Sequence, residues 1–206
     1  MAYTIHKRMD KLMVKRSCLL LATVLAMSFV SSAAGEEPPA VNQAPTGKRW
    51  GVETSVVFPV VHIYELHGSY RFWSHGEALA GFALQRWSED DFDDTFPPGQ
   101  AEAYTLLMGY RQFIWKGLHA EVMLFPAYNR FHSHVDNKVY SGPELWVESY
   151  VGYTFRIEVG GVNLVIVPQM GLGFAVWHQT KWPKEDEYMA NAGMTAVPNL
   201  LVGAEF

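Results

Sequence analysis

This sequence lacks several devices that stabilise or anchor proteins. It has one cysteine among 206 residues, Cys18, so an intrachain disulfide, paired-thiol chemistry and a cysteine metal cage are all excluded. Long apolar runs are missing. The apolar stretch Cys18–Val30 has thirteen residues, short of the roughly 18 or more that a membrane-spanning helix requires. Beyond it, from Lys48 to Phe206, helical periodicity is scarce and no apolar run reaches that length. Positive charge is scarce as well. Residues 1–34 hold Lys7, Arg8, Lys11, Lys15 and Arg16 but a single acid, Asp10; the remainder has 11 Lys+Arg against 20 Asp+Glu. Nucleic acid is a poor partner for so acidic a chain.

What is present begins with an export signal. A basic segment, the apolar stretch and the small residues Ser32, Ala33 and Ala34 before Gly35 read as a cleaved signal peptide over 1–34. Cys18 opens the apolar stretch rather than closing it, which argues against a lipoprotein. "GEEPPAVNQAPTG" (35–47) is Pro-, Ala- and acid-rich without periodicity and reads as a flexible tether. Folded material is expected over 48–206.

The recurring signal there is period two, the mark of strands. In "NLVIVPQMGLGFAVW" one face carries Leu164, Ile166, Pro168, Met170, Leu172, Phe174 and Val176, all apolar. Its length is about 40 Å at about 3.3 Å per residue; tilted by about 45°, it matches the apolar band of about 25 Å on an outer-membrane barrel. Seven further segments divide the same way. Trp50, Val52, Val56 and Phe58 oppose Glu53 and Ser55; Tyr64, Leu66, Tyr70 and Phe72 oppose Glu65, His67, Ser69 and Arg71. Ala78, Ala80, Phe82 and Leu84 oppose Glu77 and Gln85, and Tyr104, Leu106, Met108 and Tyr110 oppose Thr105, Gly109 and Arg111. Leu118, Ala120, Val122, Leu124 and Tyr128 oppose His119, Glu121 and Asn129. Leu145, Val147, Val151, Tyr153 and Phe155 oppose Glu144, Glu148, Thr154 and Arg156. The terminal "NLLVGAEF" sets Leu200, Val202, Ala204 and Phe206 against Asn199, Gly203 and Glu205.

Connections alternate between tight turns ("SHG", "WKG", "EVGG") and long polar loops, with one exception: the first, near "PVVH", is short where a long loop is expected. The fold class is therefore all-β, an eight-stranded antiparallel up-and-down transmembrane β-barrel. Pro168 cannot donate to a ladder, so a bulge or irregularity is expected there. Glycine followed by an aromatic recurs in "GSYRF", "GYRQF", "GYTF" and "GAEF", suggesting a girdle of Phe72, Phe113, Phe155 and Phe206 at one membrane interface.

In strand count, alternation, loop asymmetry and terminal phenylalanine, the region 48–206 resembles the small eight-stranded outer-membrane barrels such as the OmpA membrane domain, OmpX and OmpW. The resemblance implies an outer-membrane location among lipid and lipopolysaccharide. It also implies that Phe206, with Val202 and Leu200, is read by the barrel-assembly machinery. It fixes no activity.

The candidate chemistry lies on the inward face: Glu53, Glu65, His67, Arg71, Arg111, His119, Glu121, Glu144, Glu148 and Arg156, with Glu77 and Glu205. Eight strands enclose just enough room for side chains, so these read as a plug of paired charges, with a structural or surface-interaction role for the protein. The alternatives are a lipid-modifying enzyme and a small-ligand-binding barrel. For catalysis the candidate is Glu65-x-His67-x-Ser69, an acid, an imidazole and a hydroxyl on one strand face. Lipid A 3-O-deacylases use a His-x-Ser pair, but followed by Asn and near the outer rim; here Tyr70 follows. His132, His134 and Asp136 in "FHSHVDN" and the acids of "EDDFDD" read as solvated loop residues. Neither metal nor cofactor is called for.

Overall fold

The computed structural model describes residues 49–89, 98–179 and 194–206; the expected signal peptide and tether lie outside them. The regular elements of the described chain are all strands apart from one 3-10 turn. Its strands are β1 (Trp50–Ser55), β2 (Ile63–Trp73), β3 (Gly76–Ser88), β4 (Gly99–Trp115), β5 (Leu118–Ser133), β6 (Val139–Tyr153), β7 (Phe155–Val159), β8 (Val162–His178) and β9 (Thr195–Glu205), with the turn at Phe58–Val61. Consecutive strands pair antiparallel, except that β6 and β7 lie end to end and both pair with β8, and β1 also pairs with β9. The sheet of the described residues thus closes in a ring, a barrel-like architecture.

The ring has eight members because β6 and β7 are one interrupted strand. Gly152 faces Gln169 and Phe155 faces Ile166 on β8, one continuous register on both sides of Thr154. By that register Tyr153 stands opposite Pro168, which has no N–H to offer. The irregularity expected at Pro168 therefore falls on its neighbour, as a lapse in the ladder without a slip. β8 itself runs unbroken against β9 through Pro168↔Leu200.

Closure is staggered. A circuit of paired residues from Gly51 through Ser69, Leu79, Gly109, Met123, Glu148 and Gly173 reaches Thr195, whereas Gly51 itself faces Glu205, ten residues along β9. Such a stagger over eight strands tilts them by about 40°. The last residue seals the circuit: Trp50 and Phe206 exchange backbone hydrogen bonds of 3.2 and 2.8 Å. At the turn end, Gly160 and Gly161 both take positive φ (58° and 86°), as a two-residue hairpin whose twist matches its strands requires.

Burial alternates most clearly along β2, β4, β5 and β8, and in β8 it follows the expected faces from Leu164 to Val176. Two expectations fail. Phe58 is buried, because β1 ends at Ser55 and the chain coils into the 3-10 turn with a proline in its first positions. Phe113 points into the ring, 5% exposed, while Phe72 and Phe206 are exposed and Phe155 half-buried. The glycine–aromatic repeat does not keep one parity: Phe113 stands two residues beyond inward Arg111, and alternation overrides the repeat.

Candidate functional site

Inside the ring six buried carboxylates (Glu53, Glu65, Glu77, Glu121, Glu148, Glu205) meet three buried guanidiniums (Arg71, Arg111, Arg156). All three arginines gather with four of the acids toward the tight-turn end. Arg111, on β4, donates from Nε to Glu121 Oε2 (2.7 Å) and from Nη1 and Nη2 to the two oxygens of Glu53 (2.9 and 2.8 Å). Its Nη1 also reaches Glu77 Oε2 at 3.4 Å. The forked, bidentate geometry is what a guanidinium offers and an ammonium does not. Arg71 donates to Glu77 and, at 3.1 Å, to Glu205. Arg156 donates from Nε to both Glu205 oxygens at 3.0 Å, and Asn163 adds a bond at 3.3 Å.

Between the last two arginines lies Phe113, its ring centroid 5.3 Å from Arg71 Cζ and 5.0 Å from Arg156 Cζ. The negative ring face offsets the closeness of the two cations. His119, fully buried, brings its ring edge to Phe113 (5.6 Å between centroids) and places Nδ1 3.1 Å from the Gly117 carbonyl and 3.3 Å from the Thr154 hydroxyl.

The loop-side half is built differently. Leu79, Ala83, Leu107, Met123, Phe125 and Tyr150 form a buried apolar cluster, joined by Trp146 and Val197. Its two carboxylates are held by neutral donors. Glu148 accepts from Trp146 Nε1 (2.9 Å) and from the Tyr150 hydroxyl, and Glu65 accepts from Asn199 Nδ2 (3.4 Å). Glu144 stands apart nearer the loops, half-buried and bonded by Asn129.

Glu65, His67 and Ser69 are all buried on one inward face but form no relay. Neither His67 ring nitrogen makes a hydrogen bond; Nε2 lies 3.5 Å from Glu53 Oε2, on the neighbouring strand. Ser69 sits over Gly51, where an added Cβ would come within 2.5 Å of Ser69 Oγ. In the β5–β6 turn, His132 Nε2 is 3.2 Å from Asn137 Oδ1, His134 Nδ1 is 3.6 Å from Glu89, and Asp136 accepts from the Tyr140 hydroxyl. The rest of "EDDFDD" lies outside the described residues. Among the described residues no group of three His, Cys, Asp or Glu side chains is placed to hold a metal ion.

Sequence reasoning missed Phe113, Trp146 and Tyr150 as members of the interior. Parity could have found each, since they stand two residues from Arg111 or Glu148. No family model matches the chain, and no match is found among curated proteins or solved structures.

Proposed function

We propose that this chain is a small outer-membrane β-barrel with a structural or surface-interaction role, its lumen plugged by its own side chains. The observation that carries the reading is an inside-out distribution. Charge is buried, most of it in ion pairs, while the outward face exposes Leu66, Phe82, Leu106, Val122, Val151, Leu172 and many others. The charged side chains that do face outward on the strands, Arg86, Glu102 and Arg130, stand in register with one another, each within three residues of the long-loop end. A soluble ring that bound an apolar ligand would reverse both faces. Along β8 the outward apolar face, at a tilt of about 40°, rises about 30 Å, close to the band that an outer membrane demands.

In this reading the strands meet lipid, the long loops meet lipopolysaccharide or surface partners, and Phe206 is the assembly signal. The plug offers no pore: Arg111 is fully buried and bonded to three strands' carboxylates. The test is migration on SDS gels of outer-membrane fractions with and without boiling. A folded barrel resists the detergent and migrates differently until heated; identical mobility in both lanes, or absence from the fraction, sinks the reading.

A further inference from the structure

The wall of the ring has one weak corner. β1 has six residues, whereas its neighbours β2 and β9 have eleven each. Pairing of β1 with β9 ends at Ser55↔Leu201, followed by one more backbone bond, Val56 N–H to the Leu200 carbonyl at 3.0 Å. Because Trp50 and Phe206 exchange both bonds, the even-numbered residues of β9 turn their backbone groups toward β1. The next donor would be Pro198, and proline has none. On the other flank, pairing with β2 stops at Glu53↔His67, and beyond it the Thr54 hydroxyl donates to the Glu65 carbonyl at 2.5 Å.

The 3-10 turn fills this corner in place of strand. Phe58 is its buried residue, and Val60 and Val61 are exposed. The turn is tethered toward β3: Trp87 Nε1 donates to the Val61 carbonyl (3.0 Å) and the Arg86 N–H to the His62 carbonyl (3.1 Å). His62 holds a φ of 60° to make that junction, a conformation uncommon outside glycine. Toward β9 the corner is joined by the Val56–Leu200 bond and by Ser55, whose hydroxyl donates to Asn199 Oδ1 at 2.6 Å. Asn199 in turn donates to Glu65. Among the described residues no lysine or arginine lies within ion-pair distance of Glu65; the three buried arginines are engaged with other carboxylates, and His67, the base next along the same inward face, stands 3.5 Å from Glu53 instead. Val197, on the same stretch of β9, packs against the interior apolar cluster.

We propose that this corner is a lateral binding site for an amphiphile with a cationic, hydrogen-bond-donating head. The Phe58 turn is a wedge that shifts against β9, and Ser55, Asn199 and Glu65 behind it receive the head while the chain stays against Val60, Val61 and the surrounding lipid. The inference rests on the membrane reading above. Glu65 has no ion-pair partner among the described residues, and a buried carboxylate is stabilised by one, which makes an ammonium the head that this lining favours over a sulfate or phosphate.

The full-length chain, reconstituted in zwitterionic vesicles, is titrated with two fluorescent dodecyl probes, one a primary amine and one a sulfate. The amine should bind at least about tenfold tighter, and Glu65→Gln should bring the two within about twofold. N-acetylating the amine should abolish the preference in the unaltered protein, which keeps the test informative if Glu65→Gln fails to fold. Placement is read in a Cys18→Ser background from a fluorophore on Val60→Cys or, across the ring, on Val122→Cys. A spin-labelled dodecylamine should quench the first and spare the second. Equal quenching at both, or a preference for amine untouched by Glu65→Gln and acetylation, overturns the site while leaving the barrel standing. Loss of heat-dependent migration in the unaltered chain overturns the barrel, and the lateral site with it.

Discussion

The two halves of the ring's interior are stabilised by different physics. At the tight-turn end Arg71, Arg111 and Arg156 share Glu53, Glu77, Glu121 and Glu205 in bonds mostly of 2.7–3.4 Å. At the loop end Leu107, Met123 and Phe125 pack together, and Glu65 and Glu148 are held by amide, indole and phenol donors. An ion-pair lattice fixes which strands must face one another, since each guanidinium accepts only a few geometries. An apolar cluster is tolerant of exchange at constant volume. The charged half therefore specifies the register of the ring, and the apolar half contributes bulk stability without specifying it.

The sharpest way to break that contrast is Arg111→Met, which leaves Glu53 and Glu121 buried without their cation. Removing one partner of a buried pair costs about 3–5 kcal/mol, so the heat-resistant band should melt far below that of the unaltered protein in a temperature series. Survival at the original temperature would mean that the lattice does not hold the ring. Leu107→Ala probes the other half. A cavity there should cost about 2–4 kcal/mol, measured by urea unfolding in micelles, and Leu107→Met should recover most of it. The arginine position should show no comparable rescue by a residue of similar size. Phe113→Leu comes next. It keeps apolar volume but removes the ring between Arg71 and Arg156, for a loss of about 1–2 kcal/mol; a loss below experimental error would make the aromatic face irrelevant.

Much of this architecture was legible because a two-residue period survives any tertiary context that keeps the strands. β8 shows it best: the outward set from Leu164 to Val176 and the inward set from Asn163 to Gly173 are as the alternation divides them. Three features were not legible, each for a physical reason. Phe58 leaves the β1 pattern because the chain turns there, and a period count cannot see where a strand stops. Pro168 disturbs the opposite strand at Thr154 rather than its own, a cross-strand effect with no local signature. Glu65, His67 and Ser69 look like a relay along one strand, but the ring brings Glu53 from β1 beside His67 and Asn199 from β9 beside Glu65. Those partners are 14 and 134 residues away in sequence, beyond any reading of spacing within the segment.

The smallest effect should come from a charge that belongs to neither half. Asp136 lies in the exposed turn between β5 and β6, and the hydrogen bond from the Tyr140 hydroxyl lowers its carboxyl pKa below the ordinary aspartate value of 3.8. A carboxyl lowered on folding binds its proton less readily in the folded turn than in the unfolded chain. Its contribution is therefore complete above the ordinary value and disappears as pH falls through the folded value. Asp136→Asn should weaken the turn slightly at pH 7 and leave it unchanged once the pH is well below 3.8. Proteolytic nicking of the turn, compared between variant and unaltered protein across that range, reads the difference. A gap that persisted unchanged into acid would assign the turn's order to side-chain shape rather than to charge. No such change should reach the melting of the ring, because the lattice around Arg111 is sealed from this turn by the apolar half between them.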